Sequence, residues 1–186
     1  MGKIYSTIDD FVREFIEAQP LFFVGSAPLD PDGHVNVSPK GLDTLRILGP
    51  STIAYLDLTG SGIETVSHLK ENGRIVLMFC NFQGAPKILR LYGRGRVIEP
   101  GHPEFQSHAN RFPVREGARA VILIEISRIA DSCGFGVPLL QYEGQRSQLS
   151  AWSQKLGPAG LEKYHREKNS SSIDGVPGLE KPADEI

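Results

Sequence analysis

The sequence predicts a mainly β chain of the α+β class, an antiparallel barrel with helices over its ends. Two observations carry this. About six or seven β-rich stretches follow one another through short turns marked by Gly, Pro, Asn and Asp. Helical patterns do not alternate regularly with them, as a doubly wound parallel sheet requires. The chain of 186 residues is enough for one domain, and 40% hydrophobic with 23% charged residues is an ordinary globular balance. A net charge of −2 leaves no general attraction for nucleic acid or anionic lipid, so neither is expected as a partner.

The elements follow in order. "STIDDFVREFIEAQ" places Ile8, Phe11, Val12, Phe15 and Ile16 on one helical face, with Ser6 or Thr7 as the expected N-cap and Pro20 as the stop. "LFFVGSAP", "HVNVSPKG", "TLRILGP" and "STIAYLDL" read as strands divided by turns. "IETVSHLKEN" has Ile63, Val66 and Leu69 at helical spacing, and Asn72-Gly73 closes it. "RIVLMFCNF" and "KILRLYGRGRVIEP" are strands, and Gly93 and Gly95 in the second suggest a bulge or barrel bend. "HPEFQSHANRF" is a short helix and "ARAVILIEISRIADS" the last long strand. The segment from Gln145 is helical to about Lys168. The Ser-, Pro-, Gly- and acid-rich end beyond it is expected to be loosely ordered, or ordered only on a partner.

The stretch "LDLTGSGIETVSHL" raises the question of function. A glycine-rich turn feeding a helix start presents free N–H groups and the positive end of the helix dipole. Thr59, Ser61 and Thr65 add hydroxyls, although a simple capping turn also accounts for the pattern. "TGSGIET" lacks the last glycine of the dinucleotide motif and lacks a Walker lysine. "VNVSPKG" ends in a kink that brings Ser38 and Lys40 to a strand end, where a barrel can set them beside the loop.

Taken in order and spacing, "FFVGSAP", "GHVNVSPKG", "YLDLTGSGIETVSHLKENGRIVLMF" and "KILRLYGRGRV" resemble the pyridoxamine 5′-phosphate oxidase-like proteins, the FMN-binding split barrels. "ADSCGFGVPLLQYEGQR" resembles an oxidase-related subgroup of them. The resemblance implies a six-stranded antiparallel split barrel with flanking helices, over residues 1–145, followed by a helical extension, 146–186. It implies a homodimer with FMN at the subunit interface, a small-molecule substrate and an oxidoreductase activity. A non-catalytic flavin- or haem-binding sensor or carrier is the alternative, and a deazaflavin in place of FMN is left open. Mapped onto this chain, Ser38, Lys40, Thr59, Ser61, Gly62, Thr65 and Arg90 are the expected cofactor-binding residues. The family's typical members carry an Arg-Lys pair where this chain reads Ile63-Glu64-Thr65, so pyridoxamine 5′-phosphate is not the expected substrate.

No residue has the pattern of a dedicated acid, base or nucleophile. The histidines His34, His68, His102, His108 and His165 are scattered without zinc spacing, so no metal is expected. Cys80 and Cys133 read as reduced thiols of a cytoplasmic protein. The Ser132–Pro138 loop reads equally as a barrel-closing turn or as backbone donors to a flat ligand. Trp152 reads as a helix-face anchor, and no window is apolar enough to span a bilayer.

Overall fold

A computed structural model describes residues 2–113 and 116–180. The strands are β1 (Ile4–Tyr5), β2 (Phe22–Ser26), β3 (Asn36–Lys40), β4 (Leu45–Ile47), β5 (Thr52–Leu58), β6 (Arg74–Cys80), β7 (Ile88–Ile98) and β8 (Ala118–Ser132). The helices are α1 (Asp10–Glu17), α2 (Glu64–Asn72), α3 (Phe105–Ala109) and α4 (Gln148–Lys168). All strands join one antiparallel sheet, ordered β3-β2-β6-β7-β8-β5-β4, with β1 added on β8. Six of the eight strands have five or more residues. The two beyond the expected six, β1 and β4, span only two and three residues, too short for alternation to define them.

The sheet curls until its edges meet. Lys40, on edge strand β3, places Nζ 2.7 Å from Asp57 Oδ1 on β5. Along the sheet those strands stand five places apart, so only closure of the half-barrel brings them together. Phe22, Val24, Leu77 and Leu91 line the inner face with Tyr55, Ile122 and Ile124, and α1 plugs one end through Val12 and Ile16. Fully burying each such side chain stabilises by about 1.5–3 kcal/mol. A smaller cluster joins α3 to the sheet through Leu56, Ile98, Phe105 and Phe112.

Helix starts and stops only partly follow expectation. Asp9, not Ser6 or Thr7, caps α1: its Oδ1 accepts from Val12 N at 2.9 Å. An Asp three residues before an unpaired N–H satisfies that donor and suits the helix dipole. Gly73 ends α2 at φ 69°, as the Asn-Gly pair predicts. The register of β7 on β8 shifts at Tyr92/Gly93, the expected bulge. At Gly95 a Cβ would lie 2.9 Å from Leu69 Cδ1, so glycine lets α2 settle on β7.

The polar C-terminal segment departs from expectation in residues 169–180. It docks on the chain's own α2. Ser67 Oγ donates to Val176 O, Lys70 Nζ to Gly178 O, and Leu179 packs against the main core. Five consecutive α2 residues, Thr65 to Leu69, are buried, which a helix covered on one side alone cannot achieve. Residues 181–186 lie outside the described residues.

Candidate functional site

Where β3, β5 and β8 converge, one carboxylate organises two cations. Asp57 is fully buried. Its Oδ1 accepts from Lys40 Nζ and its Oδ2 from Arg119 Nε, both at 2.7 Å. Burial alone would push this carboxyl up, but the Lys40 and Arg119 charges and hydrogen bonds outweigh it and hold the group below its ordinary value. The triad keeps a net charge of about +1 in a place where Arg119 is 5% exposed and the Lys40 side chain 18%. Lys40 Nζ has three N–H donors, and one is spent on Asp57.

Arg119 Nη1 also donates to Gly60 O, which ties the triad to the Thr59–Gly62 loop. Asn169 Nδ2 donates to the same carbonyl at 3.0 Å. Thr59 Oγ1 donates to Gly117 O and meets His165 Nε2, both at 2.7 Å. The hydroxyl has one proton and Gly117 O takes it, so His165 must carry its proton on Nε2 and donate. Burial first, then the nearby Arg119 charge, pushes the His165 imidazole below its ordinary value. Thr59 therefore braces α4 against the loop and has no proton left for a ligand.

Ser38 and Thr65 come together through a residue the sequence reading missed. Asn36 Nδ2 donates to Ser38 Oγ and Thr65 Oγ1, both at 3.1 Å. Ser61 and Gly62 remain exposed at the start of α2, which has no side-chain N-cap. Asn36 thereby spends both amide protons and leaves the two hydroxyl protons free, so Lys40, Ser38, Thr65 and the Ser61–Gly62 backbone form a cradle of donors at the positive end of a helix. Glu64 stands at the helix start and accepts from Ile173 N. Asp174 adds a second carboxylate in this region, fixed to His34 by N at 2.8 Å and Nδ1 at 2.6 Å. The His34 hydrogen bonds hold it below the usual carboxylate range.

Arg90 does not join this cradle. It lies opposite Met78 and Ala130 on the outward face, where Nη1 donates to Ser132 Oγ at 3.0 Å. Arg94 and Arg96, beyond the bulge on the same strand, are engaged elsewhere, with Asn72 O and with Glu104. Arg119, Asp57, Asn36, His165 and Asn169 are the members that sequence reasoning missed. Asp57 and Arg119, each a charge in an apolar strand, carried a local signal, but nothing local pairs them.

Two adjoining clefts, of ≈ 750 and ≈ 850 Å³, open beside Lys40 at the turn after β3. Leu42 and Asp43 in this turn have φ of 61° and 55°. The left-handed region costs an L-residue roughly 1–2 kcal/mol, and a bulky Leu adopts it rarely. The Ser132–Pro138 loop is exposed at Cys133 and Phe135, while Cys80 is buried and its thiol pushed up by that burial. Trp152 packs edge-on to Tyr164 at 5.0 Å across the α4 kink at Gly157-Pro158, an anchor within the helix pair. Among the described residues no group of three or more His, Cys, Asp or Glu is placed to hold a metal, and no helix is long and apolar enough to cross a membrane.

Comparison with known proteins is consistent with this architecture. Residues 8–133 match the family model described as pyridoxamine 5′-phosphate oxidase. The chain is 42% identical over 196 residues to the pyridoxamine 5′-phosphate oxidase family protein ustO of Aspergillus flavus, covering 96% of this chain and 78% of that protein. Among solved structures it resembles HupZ of Group A Streptococcus, at a TM-score of 0.52 and 22% identity over 67% of this chain and 99% of that one. It likewise resembles a putative pyridoxamine 5′-phosphate oxidase of Lactobacillus delbrueckii, at a TM-score of 0.53 and 17% identity over 68% and 98% of the two chains. These structural likenesses show the fold, and the sequence matches show the family: the chain belongs to the pyridoxamine 5′-phosphate oxidase family.

Proposed function

We propose that the protein is an FMN-binding flavoprotein and an oxidoreductase, working as a cytoplasmic homodimer. The observation that carries this reading is the buried Lys40–Asp57–Arg119 triad with its net positive charge beside a hydroxyl-lined helix start. An excess cation in a poorly solvated place favours an anionic ligand. The donor set fits a phosphate: Lys40 supplies full charge, Ser61 and Gly62 supply N–H groups, and Ser38 and Thr65 supply hydroxyls that Asn36 orients. When bound, FMN supplies the hydride and electron chemistry. The chain's own part is to hold and orient. Asp57 fixes Lys40 at the end of β3, and Arg119 and Asn169 fix the loop carbonyl of Gly60.

Family membership supports a flavin over haem. The homodimer reading is supported by the outward face of β3-β2-β6. Val37 is 63% exposed there and shares its row with Gly25 and Val76, beside Phe23 and Met78. The cytoplasmic reading rests on two free cysteines. The Ile63-Glu64-Thr65 stretch, which carries no cation, argues against a second, substrate phosphate beside that of the cofactor.

The test is release of the cofactor. Pure protein is denatured and the supernatant identified by absorbance and mass. FMN is expected. Release of haem, or a protein that stays colourless and fails to take up FMN, overturns the reading.

A further inference from the structure

We propose that the double cleft between the α1–β2 corner, the β3–β4 turn and the 138–149 segment binds a neutral, largely apolar small molecule bearing amide or carbonyl groups. As the seat of a substrate it rests on the flavin reading; as a binding site it does not. The two lobes share Glu17, Pro20, Gly41, Leu42, Tyr142 and Gln145 in their walls, so they adjoin. Their volumes of ≈ 750 and ≈ 850 Å³ fall in the range that holds small organic ligands. None of Ser38, Lys40, Thr59, Ser61, Gly62, Thr65 or Arg90 lines either lobe, so the space lies outside the cradle while adjoining it through Gly41.

The chemistry of the walls selects the ligand. Phe22 and Phe79, stacked with centroids 5.8 Å apart, line one lobe, and Phe82, Leu140 and Leu149 line the other. Side-chain amides stand among them: Gln83, Gln141 and Gln148 face the space, while Gln19 and Asn81 are bonded to Phe15 O and Ala85 O. Primary amides both donate and accept, which matches carbonyl and N–H groups on a ligand. The charged residues are two acids, Glu17 and Asp43, and two bases, Arg46 and Arg146, so the lining is neutral overall. Arg46 is already committed to both oxygens of Asp43 and to Arg111 O.

The backbone around the space is held against its preference. Leu42 and Asp43, both left-handed, lie in its wall, and such strain collects where a site over-determines the chain. One side chain staples the two walls. Gln145 Oε1 accepts from Leu42 N and its Nε2 donates to Pro20 O, both at 3.1 Å. Gly41 makes room for that staple, since a Cβ there would lie 2.9 Å from Gln145 Oε1.

The experiment uses purified full-length protein and Nile red, a neutral planar probe with a carbonyl group, followed by its blue-shifted fluorescence. One probe per chain is expected to bind. Leu140→Asp and Leu149→Asp should each weaken it at least about ten-fold, because each sets a charge in the apolar wall. Gln148→Glu, at an exposed position, should weaken it too and guards against variants that fail to fold. The anionic probe 8-anilinonaphthalene-1-sulfonate should bind about ten-fold more weakly than Nile red. Leu29→Asp, at an exposed position that lines neither lobe, should leave the probe unaffected. Probe binding indifferent to all three wall variants overturns the proposal, as does loss in Leu29→Asp. Displacement by riboflavin makes the cleft the cofactor's own seat, and loss of binding as the protein dimerises makes a second copy its occupant. Either result also overturns it.

Discussion

Replacing Asp57 by Asn separates the stability of the triad from its attraction for anions. The carboxylate is fully buried and satisfies two cations at 2.7 Å each. Removing one partner of a buried ionic cluster costs about 3–5 kcal/mol, because the remaining charges stay uncompensated. Lys40 can relieve part of this by turning towards water, since its side chain is 18% exposed, whereas Arg119 at 5% cannot. The expected loss is therefore near the lower end, about 3 kcal/mol, or a fall of about 6–12 °C in Tm for a chain of this size. Urea denaturation at pH 7 with an unchanged m-value measures it. The same substitution raises the net charge of the triad, so FMN affinity should hold or increase while stability falls. The sign with pH follows from the depressed carboxyl. A group whose folded pKa lies below its ordinary 3.8 contributes stability that is complete above that value and is lost as pH falls through the folded pKa. The gap between wild type and Asp57→Asn should thus be full at pH 6 and shrink below about pH 4. A loss under about 1 kcal/mol, or a gap that persists unchanged at pH 2.5, refutes the triad as the organiser of this site.

Lys40→Ala should weaken FMN by about one to two orders of magnitude, since a charge-assisted phosphate bond is worth roughly 1.5–3 kcal/mol, and should leave riboflavin nearly unchanged; paired titrations decide. Equal weakening of both ligands places Lys40 on the ring or the fold. Pyridoxamine 5′-phosphate should not be oxidised rapidly or saturably by FMN-loaded protein, because Glu64 stands where typical family members have a cation; stopped-flow flavin reduction tests this. A chain ending at Lys168 should lose about 3 kcal/mol, as Leu179 and the bonds to Ser67 and Lys70 disappear, and hydrogen exchange should rise along α2. Val37→Lys should convert a dimer at micromolar concentration to a monomer by sedimentation; a wild type that is already monomeric refutes the dimer reading.

The long strands and the α2 cap were legible because local chemistry decides them. β7 and β8 show bulky alternating side chains, and Asn72-Gly73 supplies the left-handed stop that a helix end needs. β4 has three residues and β1 two, so their existence depends on neighbours that no local pattern reveals. The candidate site was legible only in part. Lys40 and the loop stood out by residue type. Arg119 looked like one polar break in a long apolar strand, and its pairing with Asp57 spans 62 positions in sequence. The docking of residues 169–180 was hidden for the same reason. Their composition is that of a disordered tail, but Asn169 and Gly178 are buried with long-range bonds to Gly60 O and from Lys70, and Ser172 is buried in a local turn with Val176. Composition measures the average drive to fold, and such contacts depend on particular partners.

The two cations that the family resemblance assigns to one flavin lie on opposite faces of one sheet. Lys40 stands opposite Phe22, a core residue, and reaches across the closed edge to Asp57. Arg90 stands opposite Met78 on the face that carries Phe23 and the exposed Val37. In a strand, residues an odd number apart face opposite ways, and paired residues on neighbouring strands face the same way. A flat ligand does not pass through a hydrogen-bonded sheet. If Lys40 and Arg90 both touch one flavin, they come from different chains. The outward apolar face then has a second purpose beyond covering hydrophobic surface: it sets one copy's Arg90 against the other copy's cradle. On this reasoning a monomer holds at most half of the cofactor's cationic contacts, and dimerisation and flavin affinity must rise and fall together.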